Sequence, residues 1–115
     1  MKSLIQTRDT RSVRVFLIGV ELKSRTAADV RESLAELEEL ATTAGTQIVG
    51  EGVQKLATPV AATYIGGGKA GEFARHCKEN DVDTVIFDDE LSPAQTRNLE
   101  KIFGCKIMDR TALIL

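Results

Sequence analysis

Buried-strand and amphipathic-helix patterns alternate along the chain, and this alternation restricts its fold more than any other feature. The run Val13–Val20 is almost continuously apolar and rich in β-branched residues, as in a strand covered on both faces. Shorter runs at 47–49, 83–87 and 105–108 follow, separated by segments of helical spacing. The order β-α-β-α-β-α-β predicts an α/β domain, a three-layer open sheet of four mainly parallel strands. We expect the strand order 2-1-3-4.

The first two helices have recognisable limits. Residues Asp29–Ala44 place apolar side chains three and four apart, with glutamates elsewhere around the helix, and Gly45 is suited to a left-handed C-terminal cap. A second helix is expected over Lys69–Asn80. Between them, Gly50 and Gly52 interrupt strand-like sequence and indicate a bulge or a close approach of backbone.

The third helix has the clearest start signal. In Ser92–Gln95, serine suits the cap, proline the first helical position, and glutamine can return the capping bond. We expect this helix to direct Leu99, Ile102 and Phe103 inward and to end at Gly104.

Length and composition exclude several classes of protein. A chain of 115 residues predicts one domain, and a hydrophobic content of 43% is too high for a disordered chain. We expect a flexible arm over residues 1–12 and the α/β domain over 13–115. No apolar run approaches a membrane span and the N-terminus lacks a signal-peptide core, so we expect a cytoplasmic protein without a membrane partner. Cys77 and Cys105 are expected to be reduced, buried thiols.

Three strings carry a resemblance to a known family. They are Ala62–Phe73, which contains Gly-Gly-Gly-Lys, then Phe87–Lys101, and then Asp109–Leu115. They resemble the N-terminal domain of the HflX family of ribosome-associated GTPases, whose members read much like Y-I-G-x-G-K-x-x-E-L, F-D-D-E-L-S-P-x-Q-x-R-N-L-E-K and D-R-T-x-L-I-L. The resemblance runs from about Val15 to Leu115, and the middle string is highly specific.

The resemblance implies a ribosome-docking and regulatory domain. The full-length family protein would bind GTP and magnesium, associate with the large ribosomal subunit, and rescue or split stalled ribosomes. The chain has no P-loop of the G-x-x-x-x-G-K-[ST] form. We therefore expect the GTPase domain to be absent from it, this domain alone to need no cofactor and to have no GTPase activity, and its partners to be the large subunit and its own GTPase domain.

The glycine run supports an alternative function. Gly66, Gly67, Gly68 and Lys69 can cradle a phosphate, because backbone N–H groups at a helix start carry partial positive charge and lysine adds a full one. This reading predicts a small stand-alone nucleotide-binding protein. Glycine is equally what a tight strand-to-helix turn requires, and we expect at least one of the three glycines to have a positive φ.

Acidic residues follow the third predicted strand. Asp88, Asp89 and Glu90 lie at the sheet edge where open α/β folds bind ligands. Asp88 and Asp89 are weak magnesium candidates, because carboxylates before a helix more simply interact with its dipole. We assign no metal site and no catalytic residue.

A local basic surface is the expected route to RNA. The net charge is −2, so no domain-wide footprint for nucleic acid exists. Arg97 and Lys101 lie one helical turn apart, with Lys69, Arg75 and Arg110 as possible neighbours. The candidates for contacts with ribosomal RNA phosphates are Lys69, Arg97, Lys101 and Arg110. Aromatic residues are too few for base stacking, so we expect contacts to phosphate and shape.

The last residues are apolar where a chain end is usually polar. Leu113, Ile114 and Leu115 follow Asp109-Arg110-Thr111-Ala112. We expect them either to fold over the domain's own sheet or to support weak self-association, because burial of each large aliphatic side chain contributes roughly 1.5–3 kcal/mol.

Overall fold

A computed structural model describes residues 12–114 and shows a four-stranded parallel sheet. The elements in chain order are β1 (Arg14–Glu21), α1 (Ala27–Thr43), β2 (Gln47–Lys55), α2 (Gly67–Glu79), β3 (Thr84–Phe87), α3 (Pro93–Phe103), β4 (Lys106–Asp109) and a short α4 (Arg110–Ile114). The strand order is β2-β1-β3-β4, with every neighbouring pair parallel. The predicted α/β class, alternation and strand order are confirmed. The arm predicted over 1–12 lies, except for Ser12, outside the described residues.

Helices cover the sheet on both faces because successive side chains of a strand point to opposite sides. Phe16, Ile18 and Val20 of β1 belong to a core shared with α2 and α3. Val15 and Leu17 belong to a second core, which is closed by α1. The two cores explain why β1 is apolar at nearly every position.

The paired glycines of β2 have separate roles. The register of β1 against β2 shifts between Ile48 and Gly50, so Val49 forms a bulge. At Gly52, a Cβ atom would lie only 2.5 Å from Cε1 of Phe73 in α2. The predicted bulge is confirmed. At Gly52 the close neighbour is the Phe73 side chain, which explains why α2 can lie so near the edge strand.

The helix limits follow from the caps. Ser92 and Gln95 form the predicted capping box, and Gly104 ends α3 with φ 68°. Gly45, with φ 93°, follows α1. The inward position predicted for Ile102 is wrong: it is 42% exposed, because it lines the rim of an open groove between α2 and α3.

The last turn is only partly packed. Leu113 is half-buried and packs against the core beneath α1, whereas Ile114 is 61% exposed. Leu115 lies outside the described residues.

Within residues 12–114, every helix falls short of the length and apolar character that a membrane crossing requires.

Candidate functional site

Charged residues meet where the parallel strands end. Arg25 comes from the loop after β1, Asp88 and Asp89 follow β3, and Arg110 follows β4. We call these four residues the edge cluster. The Asp88 side chain is 1% exposed, and its Oδ1 accepts a hydrogen bond of 2.9 Å from Nε of Arg110. The Arg25 guanidinium lies 3.8 Å from Asp88 Oδ2, so two cations offset one buried carboxylate.

Arg110 connects three elements. Its Nη2 donates to the backbone carbonyl of Ser33 at 2.7 Å and contacts Oγ of the same residue at 3.2 Å. Its Nη1 lies 3.7 Å from Oε1 of Glu36. The guanidinium therefore ties the end of β4 to α1 and to the end of β3. An RNA contact by Arg110 stays a prediction, and this inward geometry does not favour it.

Tyr64 and Asp89 form the outer part of the same edge. The Tyr64 side chain lies close to the Asp89 carboxylate, whose Oδ1 is 3.6 Å from Arg25. Burial, followed by the nearby Asp88 carboxylate, raises the pKa of Asp89. Burial and Asp89 raise the pKa of Tyr64 to about 12. The phenol is thus a neutral hydrogen-bond donor throughout the physiological range.

The carboxylates of the edge cluster face cations of the protein. In the described part of the chain, the buried Oδ2 atoms of Asp88 and Asp89 have no hydrogen-bond partner. Arg25 approaches Asp88 Oδ2 to 3.8 Å, which is longer than a hydrogen bond, and its 3.6 Å contact with Asp89 is to Oδ1. Among the described residues, no group of three or more His, Cys, Asp or Glu is arranged to hold a metal ion. The magnesium role of Asp88 and Asp89 stays a weak prediction.

The glycine run begins α2. Gly66 is the N-cap with φ −63°, and its N–H donates to Oε1 of Gln54 at 2.8 Å. Gly67 and Gly68 are already helical. The prediction of a positive φ here is wrong: in the described chain the glycines with positive φ are Gly45 and Gly104. An extended cap followed by helix requires only negative φ.

Lys69 lies along the helix surface. Its Nζ is 3.4 Å from Oε1 of Glu72 and 5.5 Å from the centre of the Phe73 ring. The ammonium group is therefore not directed across the three glycines. A phosphate or RNA role for Gly66–Lys69 stays a prediction.

A basic surface spans α2 and α3. Arg97 and Lys101 are exposed on α3, as predicted for one helical face. Across from them, Arg75 and Lys78 of α2 line, with Lys101, a groove of about 590 Å³. We call Arg75, Lys78, Arg97 and Lys101 the basic surface. The sequence had indicated Arg75 only as a possible neighbour of Arg97 and Lys101, and it had not indicated Lys78. Lys78 follows Arg75 by three residues in the same helix, and this spacing was the signal that the two share a face.

The opposite face of the sheet is acidic. Helix α1 carries one basic residue, Arg31, against five acidic ones: Asp29, Glu32, Glu36, Glu38 and Glu39. Helices α2 and α3 together carry five Lys or Arg residues against three Glu residues. Because α1 covers one face of the sheet and α2 and α3 cover the other, the small net charge conceals a separation of charge across the domain.

The two thiols lie beneath the groove between α2 and α3. Cys77 is buried and Cys105 half-buried, and both are free. Burial, followed by the nearby Cys105, raises the pKa of Cys77 to about 12. Burial and then Asp83 raise the pKa of Cys105. Thiols held in the protonated form are poor nucleophiles, which fits a packing role.

Comparisons with known proteins identify relatives over most of the chain. Residues 31–115 match the family model described as GTP-binding GTPase N-terminal. The chain is 41% identical over 115 residues to GTPase HflX of Lacrimispora saccharolytica, covering 100% of this chain and 26% of that protein. It is 40% identical over 102 residues to GTPase HflX of Flavobacterium psychrophilum, covering 89% of this chain and 25% of the relative.

The match to GTPase HflX of Escherichia coli is 40% over 84 residues, covering 73% of this chain and 20% of the relative. The chain thus spans about a quarter of the length of these proteins. Among solved structures, the G235P variant of SsGBP has a TM-score of 0.63 at 17% identity, covering 88% of this chain and 30% of that one. This likeness shows the fold alone.

Proposed function

Because this chain belongs to the family of GTPase HflX, where it corresponds to the N-terminal domain, we propose that it docks such a GTPase on the large ribosomal subunit. GTP hydrolysis, and the rescue or splitting of stalled ribosomes, are assigned in this proposal to the longer protein. The domain supplies binding and orientation, and acts in the cytoplasm. The observation that carries the proposal is the separation of charge between its two helical faces.

The basic surface is the part of the domain that suits RNA phosphates. Arg75 and Lys78 on α2 and Arg97 and Lys101 on α3 are exposed, and no ion pair shorter than 4 Å is seen for them within residues 12–114. Free guanidinium and ammonium groups release counterions from RNA when they bind phosphates. The acidic face of α1 would be repelled, so the two faces together orient the domain on the subunit.

Co-sedimentation with large ribosomal subunits tests this orientation. The full-length protein with Arg75, Lys78, Arg97 and Lys101 all changed to alanine should bind more weakly, and its affinity should depend less steeply on salt. A matched control changes four α1 residues, Glu32, Glu36, Glu38 and Glu39, to glutamine, which should leave binding unchanged or strengthen it. Binding by the quadruple alanine variant equal to that of the parent at every salt concentration would exclude the basic surface.

Nucleotide binding at the glycine run is a second candidate function, favoured by one observation. The start of α2 has no side-chain cap, and a Cβ at Gly67 or Gly68 would meet nothing within 4 Å. The first N–H groups of the helix are therefore open to a phosphate.

Calorimetric titration with ATP separates this candidate from docking. Gly67→Asp would place a carboxylate at the phosphate position and should abolish binding. Gly71→Asp is the control, because a side chain there also meets nothing within 4 Å but lies a turn further into α2. If the parent binds no ATP at millimolar concentration, or if both variants behave alike, the glycine run is only a helix start.

A further inference from the structure

Strand β2 lies at the edge of the sheet with one row of backbone groups turned outward. The Leu56 N–H donates to the Glu21 carbonyl at 2.9 Å, so Leu56 faces β1. Backbone groups of successive residues point to alternate sides of a strand. The N–H and C=O groups of Glu51, Val53 and Lys55 therefore point away from β1. Within residues 12–114, no other strand pairs with this edge.

The same three residues also present their side chains to solvent. Glu51, Val53 and Lys55 alternate with less exposed positions along β2 and so share one face of the sheet. Val53 is 43% exposed. The Lys55 side chain is 83% exposed, and its only ion pair in the described chain is a 3.9 Å contact with Glu21. An acidic, an apolar and a basic side chain thus follow one another beside an unpaired edge.

We propose that β2 pairs with β2 of a second copy, antiparallel and centred on Val53, to join two four-stranded sheets into one. In this register Val53 lies opposite the partner's Val53, and Glu51 lies opposite the partner's Lys55 on both sides of the two-fold axis. In all three pairs the N–H and C=O groups of one residue face those of its partner. The two residues of each pair can therefore form two backbone hydrogen bonds with each other.

The order of charges selects this register and partner. Opposite charges directly across two strands stabilise an antiparallel pair, and like charges destabilise it. Because Glu51 and Lys55 are equally spaced about Val53, a two-fold axis through Val53 matches both charges. Charged residues on an edge usually discourage pairing with other chains. Here Glu51 and Lys55 disfavour other registers and stabilise the antiparallel register centred on Val53.

The bulge limits the length of the interface. Val49 interrupts the regular alternation of β2, which ends the outward row before Glu51. Only a short segment can pair, so the association is weak and reversible. It does not depend on the proposed ribosome docking, because the basic surface lies on α2 and α3 rather than on the β2 edge.

Sedimentation velocity of the purified chain across a concentration series tests the proposal by charge exchange. Glu51→Lys and Lys55→Glu each place like charges opposite one another, and each should weaken self-association by about tenfold or more. An equimolar mixture of these two variants should regain the parental association, since each supplies the charge that the other lacks. The double variant should regain it as well.

Two further substitutions distinguish this edge from other interfaces. Val53→Pro removes the central outward N–H and should abolish association. Val53→Thr keeps this N–H and should leave association intact. Ile114→Ser alters an exposed apolar side chain of α4 and should leave association unchanged. The proposal is overturned if the parent remains monomeric at millimolar concentration, if the mixture fails to associate, or if Ile114→Ser rather than the β2 variants weakens association.

Discussion

Replacing Gly52 by alanine tests the close contact between β2 and α2. A Cβ built at Gly52 would lie 2.5 Å from Cε1 and 2.6 Å from Cζ of Phe73, where ordinary contacts begin at 3.4 Å. The Phe73 ring is 7% exposed and packs against Phe16 with ring centres 5.7 Å apart. The ring must therefore move by about 1 Å within a packed core to accept one methyl group.

The expected result is a net loss of stability. Overpacking of this kind costs about 1–3 kcal/mol. Replacing a strand glycine by alanine stabilises the folded chain by roughly 0.5–1 kcal/mol, because alanine loses less backbone entropy on folding. We expect Gly52→Ala to lower the free energy of unfolding by about 1–2 kcal/mol, with a fall in melting temperature of about 4–8 °C for each kcal/mol. Urea unfolding and thermal melting followed by circular dichroism measure both.

Two companion variants make the test specific. Gly68→Ala adds the same methyl where nothing lies within 4 Å, in the first turn of α2, and should be neutral or stabilising. Phe73→Leu in the Gly52→Ala background should recover part of the loss, which appears as coupling in a double-mutant cycle. A Gly52→Ala protein as stable as the parent, or additive effects at Gly52 and Phe73, would refute the reasoning.

Three other outcomes follow from particular contacts. Ser92→Ala removes the capping box of α3 and should lower the free energy of unfolding by about 0.5–2 kcal/mol, measured by urea unfolding. Asp88→Ala leaves the Arg110 guanidinium without its buried carboxylate and should cost about 3–5 kcal/mol, with Asp88→Asn costing less because it keeps an acceptor. Tyr64, the only tyrosine, should ionise in the folded chain only near pH 12, followed at 295 nm. The pKa of Tyr64 is higher in the folded chain than its ordinary value of 10.0. The contribution of the neutral phenol to the free energy of unfolding should therefore be complete below pH 10 and be lost as pH rises through 12.

The alternation of elements and most of their limits follow from the sequence alone. Buried strands and amphipathic helices differ in the spacing of apolar residues, and the spacing is visible within a few residues. The Ser92–Gln95 box and the stops at Gly45 and Gly104 are also local, because a cap involves neighbours within one turn. Parallel pairing then follows from the crossover helices. For these reasons the fold class was predictable. The strand order 2-1-3-4 was favoured but does not follow from the crossovers, which allow other orders as well.

The partners of the charged side chains were decided only by the tertiary structure. The contact of Arg110 with Ser33, 77 positions away, exists because the order of the sheet brings β4 and α1 together. The RNA contact expected of Arg110 stays a prediction. The inward position of Ile102 failed because helical spacing shows which side of a helix is apolar but not how far the neighbouring helix extends over it. Periodicity is a property of adjacent residues, whereas burial and ion pairing depend on distances that exist only after the sheet has assembled.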